Sequence, residues 1–256
     1  MINLKYLIAA CFTFFLASCI DTTEDVNLKE DGSGVLTYTL DMSNLFSMMG
    51  QMATDNKMDK AKDMDTVIAF SSFIDSVKDL STQEKQLMRP GKMRLMLKVK
   101  DEKFLNTLTF PFKKTDDLKV IKQGLPKIMT EAFKKMTPNK GGEMNMPPGM
   151  STEDMPQPKN FEDFFDLDVT SHSITKQLNK NKYATVNDDK SMQAIQQMNS
   201  MGAPMTLNYV FNLPRPAKTT EGKGLKLSAD KKKVSLAVTS EDFFDDPKKF
   251  EFKIEY

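Results

Sequence analysis

Alternation of apolar and polar residues over many short stretches constrains the fold of this chain more than any other feature. Residues 35–40 alternate in this way and are separated from the apolar positions of 26–28 by a glycine-rich turn at 31–34, which predicts a β-hairpin. Residues 95–99 and 104–112 predict a second hairpin, and further strands are predicted at 167–178 and 205–213. The chain ends in three more amphipathic stretches, at 225–227, 234–238 and 250–256. Strands with one apolar and one polar face, joined as hairpins, are typical of an antiparallel sheet with helices packed on one face.

Helical periodicity is interspersed with these strands. Apolar residues recur every three or four positions in four stretches, 45–52, 67–80, 118–136 and 188–200, and this spacing predicts helices. Ser81 and Glu84 match a capping box that would start a further short helix. Pro126 predicts a break near Gly124, because a proline inside a helix removes a backbone hydrogen bond and clashes with the preceding turn. The predicted fold class is therefore α+β.

Residues 137–160 depart from both periods. They contain five prolines and three glycines, together with several methionines, and they show no apolar spacing. A segment with so little apolar surface to bury does not form a packed core. We expect a flexible Pro/Met/Gly-rich insertion here.

The N-terminal segment has the order of a secretory leader. Lys5 supplies a basic start, residues 6–16 form an apolar core, and small residues precede Cys19. Residues 16–19, Leu-Ala-Ser-Cys, resemble the lipobox of bacterial lipoproteins at all four positions. The resemblance implies cleavage between Ser18 and Cys19, a diacylglycerol on the Cys19 sulfur and acylation, such as palmitate, on the new amino terminus. The apolar core is shorter than the roughly 20 residues that a membrane-spanning helix needs, so we expect the leader to be removed.

The leader divides the chain into three predicted parts. Residues 1–18 are the signal peptide, residues 19–24 a lipidated tether, and residues 25–256 a single α+β domain that contains the insertion. The other cysteine, Cys11, lies in the leader, so the mature chain has no disulfide and depends on its core. The lipid on Cys19 makes a membrane the first expected partner. The expected location is the outer membrane, on its periplasmic face or at the cell surface, or the cytoplasmic membrane in an organism with a single membrane.

Charge and composition argue against nucleic-acid binding and against most enzymatic chemistry. Without Lys5 the mature chain has 35 basic and 35 acidic residues, and its lysine runs are short, whereas nucleic-acid-binding domains have a clustered basic face. His172 is the only histidine, which excludes a His-Cys zinc cluster and leaves one ring for a Ser-His-Asp triad. Phosphate-binding loops, dinucleotide fingerprints and Gly-x-Ser-x-Gly motifs are absent. We expect no catalytic activity, no cofactor and no nucleic acid.

Methionine gives the one metal hypothesis. Thioethers bind Cu(I) and Ag(I), and the insertion contains four candidate ligands, Met144, Met146, Met150 and Met155. Adaptable packing is the alternative role of methionine. The acidic turn at 31–34 does not fit a calcium loop, because Lys29 occupies a position where an EF-hand needs an oxygen ligand.

The pentapeptide Glu-Asp-Phe-Phe-Asp occurs twice, at 162–166 and 241–245. Its carboxylates could be the acid and base of a glycosidase. The interpretation we favour is structural: Asn160 and Ser240 cap short helices, acids occupy the first turns, and the phenylalanines hold these helices against the sheet. Helices over a sheet also leave open a groove for a lipid or another apolar ligand.

The order of elements, the early glycine turn, the Asn-Leu-Pro sequence at 212–214 and the three final strands resemble the LppM-like envelope lipoproteins of unassigned function. That resemblance implies an α+β envelope domain and carries no catalytic residues. We expect a non-enzymatic binding or structural module of the cell envelope, anchored through Cys19, with another envelope protein as a partner. The alternatives are a carrier of a lipid or other apolar ligand, or of Cu(I) or Ag(I), and, third, an envelope hydrolase.

Overall fold

The computed structural model describes residues 20–52, 62–136 and 161–256. Within these ranges the chain forms two β-sheets flanked by α-helices and short 3-10 turns, which confirms the α+β fold class. The expected insertion at 137–160 lies outside the described residues.

The strands and helices have the following bounds. The strands are β1 (Ile20–Leu28), β2 (Gly34–Asp41), β3 (Met64–Ala69), β4 (Lys92–Lys98), β5 (Lys103–Phe112), β6 (Phe165–Val169), β7 (Ser173–Leu178), β8 (Met205–Asn212), β9 (Thr219–Glu221), β10 (Lys226–Leu227), β11 (Lys233–Thr239) and β12 (Phe252–Glu255). The helices are α1 (Ser43–Met52), α2 (Thr82–Met88), α3 (Thr115–Met136), α4 (Lys180–Tyr183), α5 (Lys190–Ser200) and α6 (Ser240–Asp245). The 3-10 turns are Phe70–Ser72, Ile74–Ser76, Phe161–Phe164, Val186–Asp188 and Pro247–Phe250.

The larger sheet has eight strands in the order β10-β11-β8-β1-β2-β5-β4-β3, and the smaller has four in the order β6-β7-β12-β9. The β1–β2 and β4–β5 hairpins agree with the sequence prediction. Among the described strands, neighbours are antiparallel except for β1 and β8, which run parallel and pair from Ile20↔Met205 to Asn27↔Asn212. The larger sheet is therefore mixed, and β1 lies near its centre.

One face of the larger sheet forms the core. The helix α3 packs over it, next to α2, and also contacts β6 of the smaller sheet. The smaller sheet covers the neighbouring part of the same face, where the rings of Phe211 on β8 and Phe252 on β12 lie 5.2 Å apart. The opposite face carries polar residues such as Thr23, Thr39 and Asn208, which are neighbours across three strands. Helices on one face and polar residues on the other agree with the predicted arrangement.

The predicted break in the long helix is wrong. α3 is continuous from Thr115 to Met136 with Pro126 inside it. Its buried residues Ile121, Leu125 and Ile128 hold both halves against the core, and this packing outweighs the lost hydrogen bond. Gly124 has a different role from the one expected, since a Cβ there would lie 2.8 Å from the sulfur of Met88 on α2. The glycine therefore permits close helix contact rather than ending a helix.

The predicted helix over 67–80 is also wrong. This segment begins in the edge strand β3 and continues through two 3-10 turns. The apolar residues that suggested a helix, Phe70, Phe73, Ile74, Val77 and Leu80, are nevertheless buried. Consecutive 3-10 turns bury residues three apart, so a spacing of three identified the core residues but not the element.

Two predicted boundaries need correction. The proposed tether at 19–24 overlaps β1, which begins at Ile20 and buries Ile20, Thr22 and Glu24 on the core face. Residues 20–24 therefore belong to the sheet, because their side chains continue the alternation of Val26. The single strand expected over 167–178 is the hairpin β6–β7, with its turn closed by the Thr170 N–H donating to the Ser173 carbonyl.

Candidate functional site

A row of three polar side chains crosses the core face of the larger sheet. Tyr38 on β2 and Tyr209 on β8 are the register partners of Glu24 on the intervening strand β1. Glu24 alternates in phase with the buried Val26, so its carboxylate points toward the core instead of solvent. A buried carboxylate needs a cation and hydrogen-bond donors nearby.

The long helix supplies the first cation. Lys122 of α3 extends its ammonium group between two carboxylates, 2.8 Å from Oε1 of Glu24 and 2.7 Å from Oε2 of Glu162. Glu162 lies in the 3-10 turn that precedes β6. One lysine thus connects the larger sheet, the helix and the entry to the smaller sheet.

The smaller sheet supplies the second cation. Nζ of Lys176, on β7, lies 2.5 Å from Oε1 of Glu162, and the hydroxyl of Tyr209 donates to the same oxygen at 2.7 Å. The Lys176 ammonium also lies 4.1 Å from the ring centre of Tyr209 and 4.7 Å from that of Phe165. Its side chain is 0% exposed. We refer to Glu24, Lys122, Glu162 and Lys176 as the ion network.

Burial and the neighbouring charges shift the pKa values of the ion network in different directions. Burial acts to raise the pKa of Glu162, but the ammonium groups of Lys122 and Lys176 outweigh it and hold that pKa far below its usual value. Burial acts to lower the pKa of Lys122, but the two carboxylates outweigh it and raise that pKa. Glu162 and Lys122 are therefore the strongly ionised centre of the network.

The pKa values of the other two members, Glu24 and Lys176, shift in the directions opposite to those of Glu162 and Lys122. Burial raises the pKa of Glu24 despite the nearby Lys122, and burial lowers the pKa of Lys176 despite Glu162. The pKa of the Tyr209 hydroxyl is raised well above its usual value by burial and then by the charge of Glu162. Tyr209 thus stays protonated and keeps its role as a hydrogen-bond donor.

The geometry supports a structural role for the ion network. A lysine with a lowered pKa beside a tyrosine also occurs at catalytic sites. Chemistry would require a substrate atom to reach Nζ of Lys176, and this nitrogen is enclosed by Glu162 and aromatic rings without solvent exposure. Equal numbers of carboxylates and ammonium groups compensate each other and leave the helix and both sheets joined.

The two pentapeptides pack against each other but are not equivalent. Phe164 and Phe165 of the first lie 5.4 Å and 6.2 Å from Phe243 of the second, between ring centres. The phenylalanines are therefore packing residues, as expected, but they pack on each other, and the first copy is a 3-10 turn that runs into β6 rather than a helix held against the sheet. The predicted cap Ser240 is wrong, because Thr239 forms a capping box with Asp242, while the Ser240 hydroxyl accepts from the Met205 N–H at 2.9 Å. The other predicted cap, Asn160, lies outside the described residues.

Most of the remaining predicted site residues fall on parts of the chain that the structure does not describe. Cys19 and Ser18, and the methionines Met144, Met146, Met150 and Met155, lie outside the residues that the structure describes. Across 20–52, 62–136 and 161–256, no group of three or more His, Cys, Asp or Glu side chains is arranged to bind a metal ion. The His172 ring contacts Arg215 at 3.1 Å in an exposed turn, away from the ion network.

The acidic turn at 31–34 is a hydrogen-bonded turn. Oδ1 of Asp31 accepts from the Ser33 N–H at 2.9 Å and from the Ser33 hydroxyl at 2.7 Å. Gly32 has a φ of 78°, a left-handed conformation that glycine adopts without strain. These contacts explain the residue choice without a calcium ion.

Asn106 is a second unusual polar group in the core. It lies on β5 between Leu40 of β2 and Leu95 of β4, and it is 0% exposed. Both its side-chain oxygen and nitrogen are buried without a hydrogen-bond partner in the described part of the chain. Such a group costs about 1–3 kcal/mol of stability.

Comparisons with known proteins give no family assignment. No protein-family model, no curated protein and no solved structure matches this chain. The resemblance to LppM-like lipoproteins stays a prediction, and the residues themselves carry the functional argument.

Proposed function

We propose that this chain is an extracytoplasmic lipoprotein, anchored through acyl groups on Cys19, whose folded part is a non-enzymatic binding or structural module of the cell envelope. The lipobox at 16–19 carries the proposal. Several acyl chains on one residue give stable membrane attachment, whereas one chain is held only marginally.

One structural observation supports the proposal. β1 begins at Ile20, directly after the cysteine, so an anchored chain would be folded up to the point of attachment.

In the described ranges no helix is long and apolar enough to span a bilayer.

The ion network supports the non-enzymatic part. Its four charges contact one another across the helix and both sheets, and the lysine with the lowered pKa is enclosed. These four groups therefore hold the helix and both sheets together and do not serve as reacting groups. The partner we propose is another protein of the envelope.

A carrier of an apolar ligand is the second candidate, and Asn106 is the observation that favours it. A polar headgroup beside Asn106 would satisfy its buried amide. Native mass spectrometry of the protein from membranes would then show a bound lipid that the Asn106→Leu variant lacks. A mass without ligand for the unsubstituted protein would contradict the carrier function.

Cys19→Ala tests the anchor. We expect the unsubstituted protein to incorporate labelled palmitate and to enter the detergent phase of a phase separation, and the variant to do neither. Cys11→Ala is the matched control, because Cys11 lies in the leader and its loss leaves Cys19 available. Palmitate labelling of Cys19→Ala would disprove the proposed anchor.

A further inference from the structure

The strand register identifies the end of the larger sheet that lies next to Cys19. Ile20 begins β1 and pairs with Met205, the first residue of β8, and Asp21 pairs with Asp41, the last residue of β2. Consecutive Cα atoms are 3.8 Å apart, so Cys19 is covalently fixed at this end. We call it the anchor end.

Two exposed methionines lie at the anchor end. Met48 belongs to α1, which starts two residues after Asp41, and Met201 follows α5, four residues before Met205. Met48 is 38% exposed and Met201 is 68% exposed. Exposed apolar side chains also occur away from this end, at Val67 and Leu227, and scattered ones need no explanation. Met48 and Met201 differ from them in lying at the end where the proposed lipid anchor is attached.

The helix α1 is fixed at the anchor end and carries no charged residue. Its ten residues are Ser, Asn, Gln, Gly, Leu, Phe and Met only. The ring of Phe46 packs edge-on against Phe104 at 6.2 Å, and the Ser47 hydroxyl donates to Glu102 in the β4–β5 turn at 2.7 Å. That turn contains charges of both signs, which is compatible with contact to zwitterionic lipid headgroups.

The opposite end of the larger sheet contains the β1–β2 turn, the start of α3 and the β10–β11 turn. Both ends carry charges of both signs. The lysines of the opposite end are Lys29, Lys113, Lys114, Lys231, Lys232 and Lys233, and its acids are Glu30, Asp31, Asp116, Asp117 and Asp230. Leu227 of β10 lies near this end, and its exposed fraction of 40% is close to that of Met48.

We infer that the anchor end lies against the bilayer, with α1, Met48 and Met201 at the headgroup level, and that the lysine-bearing end points away. The inference rests on the proposed lipid anchor. Without a spacer between Cys19 and β1, the acyl chains hold this end at the membrane surface, where exposed apolar side chains leave water at least in part. The occupant of this surface is a phospholipid bilayer.

Single cysteines carrying an environment-sensitive fluorophore test the inference on the full-length lipidated protein. Met48→Cys and Met201→Cys report on the anchor end. Leu227→Cys and Val67→Cys are the matched controls, because their parent side chains are exposed by 40% and 59% and lie at the opposite end and on the edge strand β3. Lipidation leaves no other free thiol, since Cys11 is removed and the Cys19 sulfur is modified.

The labelled proteins are reconstituted in vesicles of phosphatidylethanolamine and phosphatidylglycerol that contain a headgroup spin-labelled lipid. We expect several-fold stronger quenching at positions 48 and 201 than at 67 and 227, with a blue shift at the first two. Equal quenching at all four positions would overturn the inference. Quenching confined to position 227 would also overturn it and would place the lysine-bearing end at the anionic lipid.

The mass of Cys19 in the same preparation separates this inference from the proposed function. A lipidated Cys19 with equal quenching overturns the orientation and leaves the anchor intact. An unmodified Cys19 overturns the anchor and, with it, the orientation. Unfolded variants are recognised because their circular dichroism differs from that of the unsubstituted protein.

Discussion

The same five residues, Glu-Asp-Phe-Phe-Asp, stand at 162–166 and at 241–245 in different structures. The first copy leaves a 3-10 turn and enters β6, and its glutamate joins the ion network. The second copy forms most of the helix α6, its glutamate is exposed, and its first aspartate closes a capping box with Thr239. The pentapeptide therefore does not determine its own conformation. The elements around each copy determine whether a charge is buried or a helix begins.

The largest expected difference between the copies is at the glutamate. Glu162→Gln removes the carboxylate that Lys122 and Lys176 share, and it leaves Lys176 as an uncompensated buried cation. We expect a loss of about 3–5 kcal/mol in the free energy of unfolding. Glu241 is the equivalent residue of the second copy and is exposed. The free energy of unfolding of Glu241→Gln should therefore lie within about 0.5 kcal/mol of that of the unsubstituted protein. Urea unfolding followed by circular dichroism measures both.

A double variant makes this comparison sharper. Glu162→Gln combined with Lys176→Met removes both charges of one pair, so it should be more stable than Glu162→Gln alone. If the two single glutamate variants proved equally stable, the ion network would not contribute as described.

The pH dependence of stability should also separate the copies. Because the pKa of Glu162 is lowered in the folded chain, its stabilising contribution is present above its usual value of 4.5 and is lost as the pH falls through the lowered pKa. The difference in unfolding free energy between the unsubstituted protein and Glu162→Gln should therefore be full at neutral pH and shrink below pH 4.5. A difference that grew on acidification would contradict the assigned direction of the pKa shift.

The stability lost on truncating the fourth residue, Phe165 in the first copy and Phe244 in the second, should differ by a smaller amount. Phe165 is buried, stacks on Phe250 at 5.5 Å and lies beside the Lys176 ammonium, so Phe165→Ala should cost about 3 kcal/mol. Phe244 is only partly buried, and Phe244→Ala should cost about 1 kcal/mol. Thermal unfolding of both variants in one buffer gives the comparison, and a larger loss for Phe244→Ala would reverse it.

The smallest effect concerns the capping box of the second copy. Asp242→Ala leaves the Thr239 N–H without its side-chain acceptor and also removes the ion pair with Lys249, and it should cost about 1 kcal/mol. Thr239→Ala removes the reciprocal bond, so the double variant should lose less than the sum of the two singles. Additive losses would show that the two bonds act independently.

The fold class could be predicted because burial follows residue spacing. Alternation located the last residues of β1 as well as β2, β8 and β11, and the Ser81–Glu84 capping box of α2 is confirmed. Where the predictions are wrong, tertiary contacts outweighed the local sequence signal. Packing against the core keeps α3 continuous through Pro126, and the close approach of Met88 explains why residue 124 is glycine.

The ion network could not be assembled from sequence, since its parts are far apart along the chain. Glu24 and Lys122 are separated by 98 positions. The sequence of each strand does indicate that its charged residue is buried. Glu24 lies on the same face of β1 as Val26, and Lys176 lies on the same face of β7 as Ile174. A charged residue in the apolar phase of a strand indicates a buried partner, but the alternation does not say which residue that partner is.

The parallel pairing of β1 with β8 has a consequence for the order of folding. The Thr22 hydroxyl donates to the carbonyl of Thr206, 184 positions later in the chain. A strand near the centre of the larger sheet thus has one free edge until the chain has been made through residue 212. Contacts of such long sequence separation slow folding. The N-terminal hairpin therefore keeps an unpaired edge until β8 joins it, and a chain that ends before β8 would leave that edge exposed.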